Sequence, residues 1–142
     1  MEFEGKQGVD DGWIELGFGG KLYYNDPPEK MATQFTIKDV ANSLSKLCRF
    51  NGHTRRFYSV AEHAMRLADL VYKERGSAMD ALLMLHHDSA EFAVGDMPTP
   101  LKKMLPGFKE IENRVEEAIR IKFDLPEFPK WIKEYDLSLI HI

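Results

Sequence analysis

The chain has little cysteine and no long apolar run. Cys48 is the one cysteine among 142 residues, so an intramolecular disulfide is excluded and a reducing compartment is expected. No apolar run approaches the roughly 20 residues that a membrane-spanning helix needs. The opening residues, MEFEGKQGVDDGW, lack the basic-then-apolar order of a signal peptide. We therefore expect a cytoplasmic protein with no membrane partner.

Positive charge is not in excess either. The 19 lysines and arginines face 23 acidic residues, for a formal net charge of −4, so the surface as a whole offers no reason to bind nucleic acid. An anionic ligand would have to be held by a local patch. The hydrophobic content of 44% and the charged content of 30% are ordinary for a globular protein, and the length suits one domain.

Residues 1–30 differ in composition from the rest, because they mix glycine, aromatic residues and proline. We predict a short β-hairpin around Gly19 and Gly20, between residues 14–18 and 22–24, that ends at Pro27 and Pro28. Residues 31–136 show the helical spacing of apolar residues at every third or fourth position. The predicted fold is therefore mainly α, a helical bundle with a small N-terminal hairpin.

Helix start and stop signals divide the helical region. Polar pairs of capping-box type, such as Thr36 with Asp39 and Ser59 with Glu62, mark helix starts, while Gly76 marks an end. We predict helices over residues 36–50, 60–75, 78–94 and 108–125, a short helix within 97–107, and a last helix that begins after Pro129.

Metal-type side chains occur on apolar helix faces. His63 lies on the apolar stripe of its helix, and His87 and Asp88 end the apolar segment LLMLHHD. A single buried histidine is more often satisfied by a backbone carbonyl than by a metal. A buried carboxylate, however, needs a cation or several donors, and a divalent ion would supply the charge while neutral imidazoles act as ligands. Because adjacent helical residues point about 100° apart, His87 and Asp88 can reach one ion only from the end or edge of the helix.

Three separated stretches, YSVAEHA, LLMLHHDSAEFAVGDMPTPLKK and IKEYD, together resemble the HD-domain phosphohydrolases. The resemblance runs from about Leu22 to Asp136, and it is closest to the small bacterial and phage members related to 5′-deoxynucleotidases and deoxynucleoside-triphosphate hydrolases. It implies an HD-domain helical bundle. It also implies a metal site whose ligands would be His63, His87, Asp88 and Asp136. It gives His86 no ligand role, so we expect His86 to be a packing or surface residue.

The same resemblance places Glu91 and Asp96 beside the metal, where acids orient water or handle protons. From position alone, Glu91 could equally be a solvated acid at a helix end, and Asp96 could cap the turn before Pro98.

Arg49 and Phe50 match an Arg-aromatic pair near the substrate of these enzymes, and Lys102 matches a basic position beside the phosphates. Arg49 could bind phosphate bidentately and Lys102 as a point charge. The alternatives are that both cations are ordinary residues at helix C-termini and that Phe50 belongs to the core.

Two imidazoles and two carboxylates leave two positions open on an octahedral ion, and they favour Mn, Co, Fe or Ni, with Zn also compatible.

The sequence therefore predicts a metal-dependent phosphohydrolase that removes the 5′-phosphate from deoxynucleoside monophosphates. An alternative is a deoxynucleoside-triphosphate triphosphohydrolase, which the basic residues His53, Arg55 and Arg56 would suit unless they face water. Hydrolysis of cyclic or signalling nucleotides ranks lower, because GDMPTPLK resembles the deoxynucleotidase-like branch. A non-catalytic helical binding module is the alternative from another class, and a homo-oligomer stays open.

The last six residues, from Leu137 to Ile142, read LSLIHI, which matches the translation of a common sequencing-adapter end. We expect the native sequence to be truncated after Asp136, with residues 137–142 as a non-native tail in which His141 is not a ligand. A natural continuation that contains LSLIHI at the full locus would contradict this expectation.

Overall fold

The structure is a computed structural model that describes residues 6–138. It opens with a three-stranded antiparallel sheet of order β1-β2-β3, formed by β1 (Gln7–Gly8), β2 (Trp13–Glu15) and β3 (Lys21–Tyr23). The predicted hairpin is thus confirmed as β2 and β3, with Ile14 opposite Leu22. It differs from the prediction in two ways: β2 ends at Glu15 rather than reaching Phe18, which is exposed, and β1 adds a third strand.

The rest of the described chain is mainly helical, as predicted. The helices are α1 (Pro28–Met31), α2 (Ile37–Leu44), α3 (Val60–Arg75), α4 (Ala78–His86), α5 (Glu91–Val94), α6 (Thr99–Lys103), α7 (Phe108–Phe123) and α8 (Ile132–Ser138). Thr36 and Asp39 form the expected capping box. The Ser59 side chain accepts a hydrogen bond from the backbone N–H of Glu62, so α3 also begins where the sequence indicates.

The helix predicted over residues 36–50 is too long. α2 ends at Leu44, and residues 49–52 form a 3-10 turn in which Phe50 and Asn51 have left-handed backbone angles, with φ of 56° and 54°. The backbone N–H of Arg49 donates to the carbonyl of Tyr58 at 2.8 Å. Arg49 therefore lies in a turn paired with the entry to α3, and the interpretation of Arg49 as a cation that closes a helix is wrong.

The helix predicted over residues 78–94 is interrupted. α4 ends at His86 and α5 begins at Glu91, so His87 and Asp88 lie in the break. His87 keeps helical backbone angles as the C-cap of α4. This break sets the geometry of the site, because two adjacent side chains at a helix end can turn toward one point.

The core lies between the sheet and the long helices, and its largest fully buried apolar side chains include Leu22, Met31, Phe35, Leu67, Met84 and Ile119. Burying each such side chain contributes about 1.5–3 kcal/mol. The hydroxyl of Tyr24, the residue after β3, donates to the carbonyl of Ala93 in α5. His86 is buried and stacks on Phe123 with 4.8 Å between ring centroids, so it has the packing role that we expected.

Among residues 6–138, no helix has both the length and the apolar character that crossing a membrane requires. Of the expected non-native tail, Leu137 and Ser138 belong to α8, while residues 139–142, including His141, lie outside the described residues.

Candidate metal centre

The four predicted ligands come together from three parts of the fold. His63 lies in the first turn of α3, His87 and Asp88 lie in the break after α4, and Asp136 lies in α8. One nitrogen or oxygen atom of each residue lies within 4.8 Å of the corresponding atoms of the other three. These residues, far apart in the chain, could hold one metal ion.

The individual distances agree with a common ligand set. Oδ1 of Asp136 lies 2.7 Å from Nε2 of His63 and 3.2 Å from Nε2 of His87. Oδ2 of Asp88 lies 2.9 Å from the same His87 nitrogen. Since metal–ligand bonds to nitrogen and oxygen are about 2.1 Å long, two ligands at right angles on one ion lie about 3 Å apart. The cluster therefore has the spacing of a donor set around a single ion.

The backbone fixes which nitrogen of His87 faces the cluster. Nδ1 of His87 lies 2.6 Å from the carbonyl oxygen of Met84, so the Nδ1–H donates there and Nε2 points at Asp88 and Asp136. A hydrogen bond of this kind orients metal-binding histidines and sets their tautomer. His63 is 1% exposed, and its Nε2 faces the cluster. Both imidazoles thus present Nε2 to the same point.

The electrostatics of the cluster favour a positive charge among its carboxylates. Burial lowers the pKa of His87, but Asp88 and Asp136 outweigh burial and raise this pKa to about 10. Burial raises the pKa of Asp136, but hydrogen bonds from His63 and His87 hold that pKa well below its usual range. Burial raises the pKa of Asp88, but the charge and hydrogen bond of His87, with a hydrogen bond from Glu91, together lower it below its usual value. A proton on His87 thus balances the buried carboxylates, as a divalent ion would.

Glu91 is an acid outside the ligand set that interacts with Asp88. It begins α5 and is 9% exposed, so the solvated helix-end interpretation is wrong. Burial and the nearby charges of Asp88 and Asp96 raise its pKa to about 11. Glu91 also hydrogen-bonds to Asp88 and to Asp96. A carboxyl that stays protonated at neutral pH has one O–H, which donates to one of these two neighbours at a time, so Glu91 lies between the ligand set and Asp96.

A cleft of about 730 Å³ opens over the cluster. His87, Asp88 and Glu91 form part of its lining, together with residues of α6 and α7 on one side and residues 128–136 on the other. Its basic side chains, within the described part of the chain, are Lys102, Lys109, Lys130 and Lys133. An anionic ligand that enters this cleft would meet these four ammonium groups and also the carboxylates of Glu112 and Glu116.

Lys102, predicted from sequence as a phosphate-binding cation, does line the cleft. Its Nζ lies 2.7 Å from Oε2 of Glu112, while Nζ of Lys109 lies 3.2 Å from Oε1 of the same carboxylate. Burial lowers the pKa of Lys102, but Glu112 outweighs burial and raises it, so the amine stays charged. Sequence reasoning missed Glu112, although its spacing of three residues from Lys109 on a helix could have indicated the pair.

Arg49 and Phe50 lie to one side of the cluster. The guanidinium carbon of Arg49 is 4.8 Å from the Phe50 ring centroid, and Phe50 is 43% exposed, so Phe50 is not a core residue. Burial raises the pKa of Asp96, and the charge of Arg49 opposes that rise, which places Arg49 near Asp96. In the part of the chain that the structure describes, neither Arg49 nor Phe50 lines the cleft.

The basic loop before α3 does not line the cleft formed by residues 6–138 either. Arg56 makes two hydrogen bonds with the carboxylate of Glu62, at 3.1 and 2.7 Å. His53 and Arg55 are exposed. The loop residues that suggested a substrate with several phosphates therefore face Glu62 and solvent.

Comparison with known proteins adds relatives but no activity. No model of a known protein family matches the chain. The chain is 43% identical over 109 residues to the uncharacterized protein YfdR of Escherichia coli (strain K12), a match that covers 77% of this chain and 57% of YfdR. It is 32% identical over 119 residues to the uncharacterized protein RCAP_rcc00048 of Rhodobacter capsulatus, covering 80% of this chain and 59% of the relative. The chain thus spans less than two thirds of the length of these two relatives.

Proposed function

We propose that this chain is a metal-dependent phosphohydrolase that releases the 5′-phosphate of deoxynucleoside monophosphates. The observation that carries the proposal is the convergence of His63, His87, Asp88 and Asp136, with ligand atoms within 4.8 Å of one another, beside a cleft lined by lysines. The resemblance of the surrounding sequence to HD-domain enzymes supports the same class of reaction.

The ligand set determines the kind of ion. Two imidazoles and two carboxylates without a thiolate favour Mn, Co, Fe or Ni, and they also suit Zn. When bound, such an ion neutralises phosphate charge and acidifies a water molecule. The protein's contribution is to hold the four ligands at fixed spacing, with the Nδ1–H of His87 tied to the Met84 carbonyl at 2.6 Å.

Glu91 is our candidate for handling the proton of the attacking water. Its raised pKa, about 11 before metal binds, results from burial and from Asp88 and Asp96, and a cation at the ligand set would favour the ionised form. Asp96 would hold Glu91 in place through their hydrogen bond. Lys102 would supply a point charge to the phosphate from the cleft wall, whereas Arg49, which does not line the cleft within residues 6–138, would act only through its charge on Asp96.

A second candidate, hydrolysis of deoxynucleoside triphosphates, is favoured by the number of lysines in the cleft. Lys102 and Lys109 share Glu112, whereas Lys130 and Lys133 have no acidic partner within residues 6–138. Two uncompensated ammonium groups beyond the metal ligands would suit a substrate with more than one phosphate.

A nucleotide panel tests the proposal. The metal-free chain is incubated with Mn²⁺ or Co²⁺ and each deoxynucleoside mono- and triphosphate, and the products are separated by ion chromatography. Release of phosphate from monophosphates supports the first candidate, and release of pyrophosphate or triphosphate supports the second. Binding of metal and nucleotide without any product would refute hydrolysis and favour the non-catalytic binding module.

A further inference from the structure

We propose that Arg75 is a positioning residue for the metal centre: fixed by Asp80, it holds the start of α8 through Trp131 and thereby places the ligand Asp136. The proposal rests on the metal-dependent function proposed above. It concerns a residue at the opposite end of α3 from His63, outside the ligand set and the cleft lining.

α8 needs tertiary contacts to stay in place. Within residues 6–138 it covers seven residues, and a helical stretch shorter than about 12 residues is marginal in water without tertiary contacts. Ile132 is 6% exposed and joins the core, and Trp131 and Tyr135 pack against the core from partly buried positions, so the rotation of α8 depends on how these two rings are held. Asp136 must nevertheless reach within 2.7 Å of Nε2 of His63, so other contacts have to orient α8.

Arg75 is itself held by the turn between α3 and α4. Its Nε donates to Oδ2 of Asp80 at 2.8 Å, and the backbone N–H of Asp80 donates to the Ser77 hydroxyl at 3.1 Å. The two helices joined by this turn lead to His63 and to His87. The guanidinium of Arg75 is therefore fixed relative to the elements that supply the two histidines.

From that position Arg75 contacts both ends of the segment that precedes Asp136. Its guanidinium carbon lies 4.1 Å from the ring centroid of Trp131, which is within the range of a cation–π contact. Tyr135 hydrogen-bonds to Arg75 and to Glu74. The Trp131 and Tyr135 rings also pack edge to face, with centroids 5.6 Å apart. Since Tyr135 directly precedes Asp136, these contacts orient the helical turn that carries the fourth ligand.

The effect of Arg75 on metal affinity depends on the fraction of molecules in which α8 is docked. If α8 exchanges between a docked and an undocked position, the apparent dissociation constant equals the intrinsic one divided by the docked fraction. Loss of Arg75 lowers that fraction, because the undocked α8 keeps Asp136 away from the ion. Loss of a residue that orients a metal ligand weakens metal affinity by about tenfold or more, and we expect an effect of that size here.

The test measures Mn²⁺ affinity by calorimetry on the metal-free 142-residue chain, together with amide hydrogen exchange. We expect Arg75→Ala to weaken binding about tenfold and to speed exchange in residues 131–138 but not in α3 and α4. Arg75→Lys, which keeps the charge, should recover part of the affinity. Lys73→Ala, which removes a cation from the same last turn of α3, should bind Mn²⁺ like the wild type.

Trp131→Leu removes the ring that the Arg75 guanidinium contacts. It is the alternative variant if Arg75→Ala does not fold, and it should show the same weaker Mn²⁺ binding. Unchanged Mn²⁺ affinity in a folded Arg75→Ala or Trp131→Leu variant would overturn the proposal. So would faster exchange throughout the chain, which would indicate a general stabilising role. If the variants lose affinity as expected but the wild type releases no phosphate from any nucleotide, the proposed function fails while the role of Arg75 stands.

Discussion

Replacing Asp88 by asparagine tests the metal centre most directly, because the change removes one negative charge and keeps the shape of the side chain. Asp88 places Oδ2 2.9 Å from Nε2 of His87, at the corner of the cluster. Two unit charges about 4 Å apart interact by about 4 kcal/mol at an effective dielectric constant near 20. A divalent ion at a bond length of about 2.1 Å attracts the carboxylate more strongly than this, but desolvation of the carboxylate and the oxygen donor that asparagine keeps both reduce the net loss, so we take about 4 kcal/mol as its order of magnitude.

A loss of about 4 kcal/mol corresponds to roughly a thousandfold weaker binding. We therefore expect Asp88→Asn to raise the Mn²⁺ dissociation constant by that factor, and Asp88→Ala to abolish both bound metal and turnover. Calorimetry with Mn²⁺ and phosphate release from deoxynucleoside monophosphates measure the two effects. Asp69→Asn, which removes an exposed acid from α3, is the matched control and should behave like the wild type.

The refuting result is specific. If Asp88→Ala turned over nucleotides at the wild-type rate, the metal-dependent mechanism would be wrong, whatever the affinity for Mn²⁺. If Asp88→Asn bound Mn²⁺ as tightly as the wild type, the cluster would not be the place where the ion binds.

Three further predictions address the acid, the proton balance and the core. Glu91→Gln should lower turnover by about a hundredfold, the size expected for loss of a proton-transfer group, while Mn²⁺ still binds; loss of metal instead would assign Glu91 to the ligand set. Because Asp88 raises the pKa of His87 to about 10 against the effect of burial, His87 is protonated below that pH, so Mn²⁺ binding at neutral pH should release at least one proton, with a second from Glu91 as it ionises, and should strengthen as the pH rises. Calorimetry in buffers of different ionisation enthalpy measures this release, and binding without proton release would contradict it. Phe35 is 1% exposed, and its ring centroid lies 4.8 Å from that of Phe92. Phe35→Ala should lower the free energy of unfolding by about 3–5 kcal/mol. Urea denaturation measures this change, and a much smaller loss would show that the core collapses around the gap.

Local signals in the sequence were sufficient to predict the existence of most of the helices. The capping residues before α2 and α3 and the glycine after Arg75 act on neighbouring backbone groups, so they predict helix ends without knowledge of the fold. They failed where the chain turns for tertiary reasons. Nothing local indicated that α2 stops at Leu44, because the turn at residues 49–52 is held by the hydrogen bond from Arg49 to Tyr58.

Some residues of the candidate site could likewise be predicted from local sequence patterns, and others could not. The apolar stripe of α3 places His63 inside the protein, and the end of the apolar segment before Asp88 suggests a buried carboxylate, so both inferences depend on helical periodicity alone. Asp136 was assigned only through the resemblance to HD-domain enzymes, since a seven-residue helix carries little periodic signal. Amphipathic patterns in the sequence therefore determined His63, His87 and Asp88 as candidate ligands, because such patterns depend only on neighbouring residues.

The tertiary structure decided that these ligands meet. His63 and Asp136 are 73 residues apart in the chain and 2.7 Å apart in space, and that approach depends on how α8 packs against α3. The same is true of the ion pair between Lys102 and Glu112 and of the contact between Arg75 and Trp131. Such contacts form between side chains from separate elements, so they depend on the packing of the whole domain and leave no periodic pattern in any one segment.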